Sequence, residues 1–295
     1  MSHSFEIVDV FTATARAGNQ LAVVTDARGL DTAAMQSIAR EFNFAETSFI
    51  LPPADPANDA QVRIFTPEEE MPFAGHPNVG TAFVAARLGS LFGKPVGDAM
   101  RFEEAAGLVQ LEVLRESGAV TGAWCRAPRA LALGAAVAPA VVAGLAGIAE
   151  ADILHGRFSP TFASVGAEFL FAEVTADALE RARPNAEAFA RVEGTIGQTG
   201  GLLGLHLHVR DSNDPSRVDA RMFAPLSGIS EDPATGSAAA ALGAFLHSLR
   251  PAEARFLMSQ GRHIGRPSEI LAEVRADGVW IGGPCAPFAR GEFNT

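Results

Sequence analysis

The chain is poor in the residues that would announce the commoner kinds of chemistry. It has only two cysteines, Cys125 and Cys285, and neither falls in a CxxC or mixed Cys/His spacing. A zinc ribbon and a disulfide framework are therefore excluded, and a reducing compartment, the cytoplasm, is expected. Basic residues are in deficit, 23 against 34 acidic ones, for a formal charge of -11. A field of that sign repels a phosphate backbone, so nucleic acid is excluded as a partner. No GxGxxG or GxxxxGK[ST] opens a helix, which removes the usual signatures of a nucleotide cofactor. The absence of GxSxG, with both cysteines outside the punctuated loops, argues against acyl transfer by serine or cysteine. No cofactor is expected. MSHSFEIVDVF alternates like a strand instead of pairing a basic region with an apolar one, so no export signal is read there. One uncharged run, Ala130 to Ala149, has about the 20 residues that span a bilayer. It is built from alanine and glycine and broken by Pro139, so the expectation is a buried helix and no membrane partner.

What is present is a globular composition, with 48% hydrophobic and 19% charged residues over 295 positions, long enough for two domains. A strand at Phe5 to Phe11, a turn at Gly18-Asn19 and a strand at Leu21 to Val24 suggest a hairpin. Asp31 precedes TAAMQSIAREF, whose Met35, Ile38 and Phe42 share one helical face. NFAETSFIL links into a strand, QVRIF is another, and the loop TPEEEMPFAGHPN leads to a helix at VGTAFVAARLGSL. Strands around Leu108 to Leu114 and Val120 to Cys125 close this half.

The pattern then returns. RIFTPEEEMPFAGHPNVGTA from Arg63 matches RMFAPLSGISEDPATGSA from Arg221, with Arg63, Phe65 and Pro67 opposite Arg221, Phe223 and Pro225. His76-Pro77-Asn78-Val79-Gly80 matches Asp232-Pro233-Ala234-Thr235-Gly236, and FEEAAG ending at Gly107 matches FLMSQG ending at Gly261. Three blocks in order, each leading to the same kind of element, indicate a duplication. The expected domains are residues 1–117 and 128–295, with the last strand free to pack on the first. Each mixes strands and helices without regular βαβ alternation.

Two motifs carry candidate chemistry. In EDPATGSAAAALGAFL, Asp232 is expected as the N-cap and Pro233 as the first helical residue, leaving backbone N–H groups around Thr235, Gly236 and Ser237 to bind a carboxylate. GHPNVGTA places His76 and Gly80 at the matching positions, for a second anion site of the same kind. Glu46 stands among Phe42, Phe44 and Phe49, where partial burial would raise its pKa into the range useful for acid-base work. PEEE, residues 67 to 70, is expected as a solvated loop, with Glu70 able to turn inward. His206 and His208 share one strand face at a spacing that can hold metal, but no third ligand lies at a telling distance. They are expected as surface or half-buried residues, and no metal is assigned.

DVFT with GNQLAVV, NFAETSFIL, RIFTPEEEMPFAGHP, EDPATGSAAAAL and QGRHIGRPSEI together resemble the phenazine-biosynthesis PhzF-like family over nearly the whole chain. The resemblance implies an α/β (α+β) protein of diaminopimelate epimerase-like fold: two pseudo-symmetric domains, each a mixed sheet or barrel around a central helix, with the site between them. It implies a cofactor-independent isomerase of a small carboxylic acid, similar to trans-2,3-dihydro-3-hydroxyanthranilate isomerase, and a homodimer. By the same resemblance Glu46 shuttles the proton, His76 and Asp232 are the further catalytic residues, and Gly75, Gly236 and Ser237 hold substrate. Ala45 departs from the family's serine before the glutamate, and Gln20 from its proline. The related epimerases use a cysteine in each half, and neither repeated loop here has one. An epimerase or racemase acting on another acid, and a metabolite-binding protein without activity, remain the competing readings.

Overall fold

In the computed structural model, residues 2–196 and 203–295 are described. The chain divides into two units, Met1–Pro128 with Ile281–Thr295, and Arg129–Trp280. The first therefore runs past the expected boundary at Ser117. Its added strand, Ala119–Arg126, is the return arm of a hairpin with Gly107–Glu116, and residues 285–294 pair antiparallel with Ser2–Val10. Backbone hydrogen bonds thus decide the boundary on both sides.

The first unit is a strand barrel. Ser2–Val10 pairs antiparallel with Asn19–Val24, which runs parallel to Glu46–Leu51, itself antiparallel to Ala60–Phe65. Ala60–Phe65 runs parallel to Ala99–Glu104, and the Gly107–Glu116 and Ala119–Arg126 strands lead round to the chain's last strand and so back to the first. Closing a sheet this way leaves no exposed edge. Where Ala119–Arg126 meets the last strand the backbones nearly touch, since a Cβ on Gly122 would sit 2.0 Å from the Gly283 carbonyl oxygen.

Helix α1, Thr32–Phe42, matches its sequence pattern residue for residue, with Asp31 accepting from the Ala34 N–H as N-cap. Its apolar face covers the barrel's outside in a cluster of Met35, Ala39, Phe49 and Phe65. Helix α2, Gly75–Leu88, is buried on every side from Gly75 to Ala86. A helix apolar all round belongs inside a core, and α2 fills the barrel, with Gly80 lying against Leu21 and Val10. It starts one turn earlier than expected. Ala74 is the N-cap, so His76 is not a cap but a first-turn residue, and Pro77 also falls in that turn, where a missing N–H costs nothing.

The second unit repeats the order of pairings. Thr161–Ser164 is antiparallel to Glu168–Val174, which is parallel to Leu205–Arg210; that strand is antiparallel to Arg217–Ala224, which is parallel to Arg255–Gln260 and onward to Ser268–Arg275. One sheet face carries Leu205 and Leu207 into a core with helices α3 (Pro139–Ala146), α4 (Ala176–Arg181) and α5 (Ala186–Val192). The other side holds helix α6, Gly236–Leu249, buried from Ala238 to Leu246. The uncharged run from Ala130 is only half helix: Ala132–Ala136 is an exposed strand, and α3 begins at Pro139. Among the described residues no helix is long and apolar enough to cross a membrane.

Candidate functional site

Glu46 is the first residue of its strand and lies opposite Leu21 in the parallel register, which turns it inward toward α2. Its side chain is 18% exposed, and its Oε2 lies 3.5 Å from His76 Nδ1. Loss of water pushes the Glu46 carboxyl up to about 7. An acid poised there is half ionised near neutral pH and can accept and return a proton. His76, 6% exposed, stands on the first turn of α2 beside Gly75, and that end has no side-chain cap. The backbone N–H groups of such a turn favour an anion. Three of the expected residues, Glu46, Gly75 and His76, are thus gathered at one end of one helix.

Asp232, Gly236 and Ser237 are gathered at the start of the other central helix, by different means. Asp232 is not the expected N-cap; it ends the short strand Ile229–Asp232, and the cap is Thr235. Its carboxylate Oδ2 accepts from Thr235 Oγ1 at 2.6 Å, and its main-chain oxygen accepts from Gln260 Nε2 at 2.8 Å. Gln260 Nε2 also donates to Thr235 Oγ1 at 3.1 Å, while Ser268 Oγ donates to the Pro233 carbonyl at 2.9 Å. These long-range bonds hold the turn open and delay the helix to Gly236. Gln260 and Ser268 belong to the QGRHIGRPSEI segment, which carried the family likeness but had no assigned role. Gly80, expected as a ligand-facing counterpart of Gly236, instead packs α2 to the barrel wall: a Cβ there would fall 2.6 Å from Leu21 Cδ2.

His206 and His208 depart furthest from expectation. Both are fully buried, and among the described residues none of their four ring nitrogens has a well-formed hydrogen-bond partner. His206 leans on Phe171 and His208 stacks on Phe158, which in turn meets Phe245 of α6. Desolvation holds His206 down at about 3 and His208 well below the usual range, so both are neutral. Among the described residues no three His, Cys, Asp or Glu side chains form a metal-holding group. Glu70, in the loop expected to be solvated, turns to Arg63, whose Nε and Nη2 donate to its two oxygens at 2.6 and 2.5 Å.

The sequence profile of the phenazine biosynthesis-like (PhzC-PhzF) family matches residues 8–291. The chain belongs to that family. It is 33% identical to the trans-2,3-dihydro-3-hydroxyanthranilate isomerase of Pseudomonas fluorescens, over 98% of this chain and 91% of that one. It is 36% identical to an uncharacterized isomerase of Mesorhizobium japonicum, over 99% of each. Among solved structures, a PhzF-family phenazine biosynthesis protein of Bacillus anthracis superposes with a TM-score of 0.85 at 24% identity, covering all of both chains. A hydroxyproline epimerase of Agrobacterium vitis shares the fold at a TM-score of 0.65, with 14% identity over 99% of this chain and 92% of that one. The protein is an isomerase of α/β (α+β) class.

Proposed function

We propose that this isomerase moves a proton between two carbons of a small unsaturated amino or hydroxy carboxylic acid, with Glu46 as the single proton carrier and without a cofactor. The observation that carries the reading is an inward carboxyl poised near neutrality beside His76. As carboxylate, Glu46 takes a proton from a carbon acidified by conjugation, and the electron pair shifts along the conjugated system. As carboxylic acid it returns that proton to a second carbon, which restores the resting enzyme. His76 and Asp232 orient the substrate's amino or hydroxyl group. Gly75, Gly236 and Ser237 bind its carboxylate, where backbone N–H groups favour the negative charge that develops. The named activity of the Pseudomonas relative makes trans-2,3-dihydro-3-hydroxyanthranilate the first compound to assay. Ala45 removes a hydroxyl beside Glu46, so close analogues belong in the same series.

The test is Glu46→Gln. Turnover should fall by about 10²–10⁴ or more, the usual contribution of a general acid-base group, with ligand affinity retained. Unchanged turnover removes the mechanism. The position of hydrogen reports the number of bases: a single shielded carboxyl keeps part of the substrate's own label, whereas a two-base inversion takes it from solvent. The acid limb of kcat/KM should lie near pH 7, since only the carboxylate can begin the reaction.

A further inference from the structure

A second buried acid lies inside the first unit's barrel, and the proton movement above does not use it. Glu104 ends the strand Ala99–Glu104, and the pairing register places it on the same inward face as Phe102 and Met100. Both of its carboxyl oxygens are buried, and among the described residues neither has a well-formed hydrogen bond. Beside it is Asn78, on the first turn of α2 two residues after His76. Asn78 Nδ2 already donates to the Ala74 carbonyl at 3.1 Å, and its buried Oδ1 has no donor among the described residues. The place therefore holds three acceptor oxygens and, from the amide's second N–H, at most one hydrogen for them. A proton on Glu104 resolves the conflict by giving Asn78 Oδ1 a donor.

Among the described residues no charged group acts on the Glu104 carboxyl to stabilise its ionised form. The Ala60–Phe65 strand brings Ala60, Val62 and Ile64, and Gly107–Glu116 brings Gly107, Val109 and Leu111. Ala119–Arg126 brings Cys125, whose thiol burial and the Glu104 charge push well up, so it stays neutral. From α2 come Asn78 and, one turn on, Thr81; Glu46 and His76 are engaged with each other.

We infer that Glu104 is a protonated, hydrogen-bond-donating acid that holds Asn78 and thereby positions the first turn of α2, on which Gly75 and His76 stand. This rests on the reading of Glu46 and His76 as the working pair. Burial raises the Glu104 pKa to about 8, so its proton is kept at neutral pH and lost above it. Ionisation removes the hydrogen given to Asn78 Oδ1, leaving only the amide N–H that the carboxylate accepts, and so closes the alkaline side of activity, while Glu46 sets the acid side.

Glu104→Gln keeps a donor at this place and has nothing to ionise. Its turnover near pH 7 should stay within about twofold of wild type, and the alkaline decline should disappear. Glu104→Leu offers no donor, and kcat should fall about tenfold or more with a smaller change in KM. Independently of activity, infrared spectra of protein carrying ¹³C-labelled glutamate should show a protonated carboxylic acid at neutral pH in the Glu46→Gln background. Burial holds Glu46 and Glu104 above the ordinary glutamate range, so with Glu46 replaced that band reports Glu104 even if its own variants do not fold. An alkaline limb identical in wild type and Glu104→Gln, or no such band in the Glu46→Gln protein, overturns the inference. If no preparation turns over any substrate, the isomerase mechanism fails while the band still decides the protonation of Glu104.

Discussion

The two units start from matching sequence and solve the same packing problem differently. Each has an Arg-x-Phe on the strand before its central helix, and in each the guanidinium lies over the phenylalanine ring, at 5.1 Å for Arg63 on Phe65 and 4.9 Å for Arg221 on Phe223. Each arginine also takes a glutamate in a two-pronged pair, but the glutamates come from non-matching positions, Glu70 and Glu231. Arg63 and Glu70 keep 22% and 33% of their side chains exposed, whereas Arg221 and Glu231 keep 3% and 8%. The central helices differ as well, since α2 begins five residues earlier in the repeat than α6. Duplication preserved the strand pairing and the arginine. The divergence lies at the helix entrances, and there His76 and Asp232 came to occupy dissimilar backbone.

The largest expected contrast is in acid. His206 and His208 lie in the second unit with depressed pKa values, so below about pH 6.5 the unfolded chain binds protons that the folded unit refuses, for His206 down to about pH 3. Their stabilising contribution is complete above pH 6.5 and is lost as pH falls; for His206 alone the loss is on the order of 5 kcal/mol. Glu46 and Glu104, in the first unit, act with the opposite sign. Their raised values make the folded state bind more protons from about pH 4.5 to 7 or 8, so acid strengthens that unit over the same range. Amide exchange followed from pH 7 to 4 should show protection falling in Leu205–Arg210 before it falls in Glu46–Leu51. The reverse order would show that the imidazoles are not desolvated.

The arginine pairs give the next contrast. Arg221 also donates to the Leu179 and Ala182 carbonyls at 2.8 Å, tying α4 to the sheet. Arg221→Ala strands a buried carboxylate and should cost about 3–5 kcal/mol in denaturant unfolding. A cost below about 1 kcal/mol would mean that Glu231 takes up a proton or reaches water. Gly80→Ala should come third, at about 1–3 kcal/mol, because a new methyl meets Leu21 and Val10 in a closed barrel.

Legibility in the sequence follows the range of the deciding interaction. Helix α1 is readable to the residue because its cap, Asp31, and its apolar face lie within it. Glu46 can be found because its aromatic neighbours in sequence foretell burial. The start of α6 is not readable, since Gln260, 28 residues beyond Asp232, holds the turn that postpones it. His206 and His208 read as half-buried strand residues because alternation shows only that they share a face. That both faces of this sheet are covered, one by α3 to α5 and the other by α6, is a tertiary fact. Glu104 is hidden for the same reason, its partners being brought to it by barrel closure.

The smallest effect sharpens the comparison most, because it separates geometry from environment. Arg63 makes two short bonds to Glu70 and a third to Thr32 Oγ1 at 3.1 Å, geometry as favourable as that of Arg221. If bond geometry set the energy, Arg63→Ala and Arg221→Ala would cost the same. Water reaches the Arg63 pair, screens it and can replace it, so Arg63→Ala should cost about 0–1 kcal/mol. A double-mutant cycle for Arg63 with Glu70 gives the pair term free of lost packing on Phe65. A coupling above about 2 kcal/mol, near that expected for a desolvated pair, would show the two sites to be energetically alike despite their exposure.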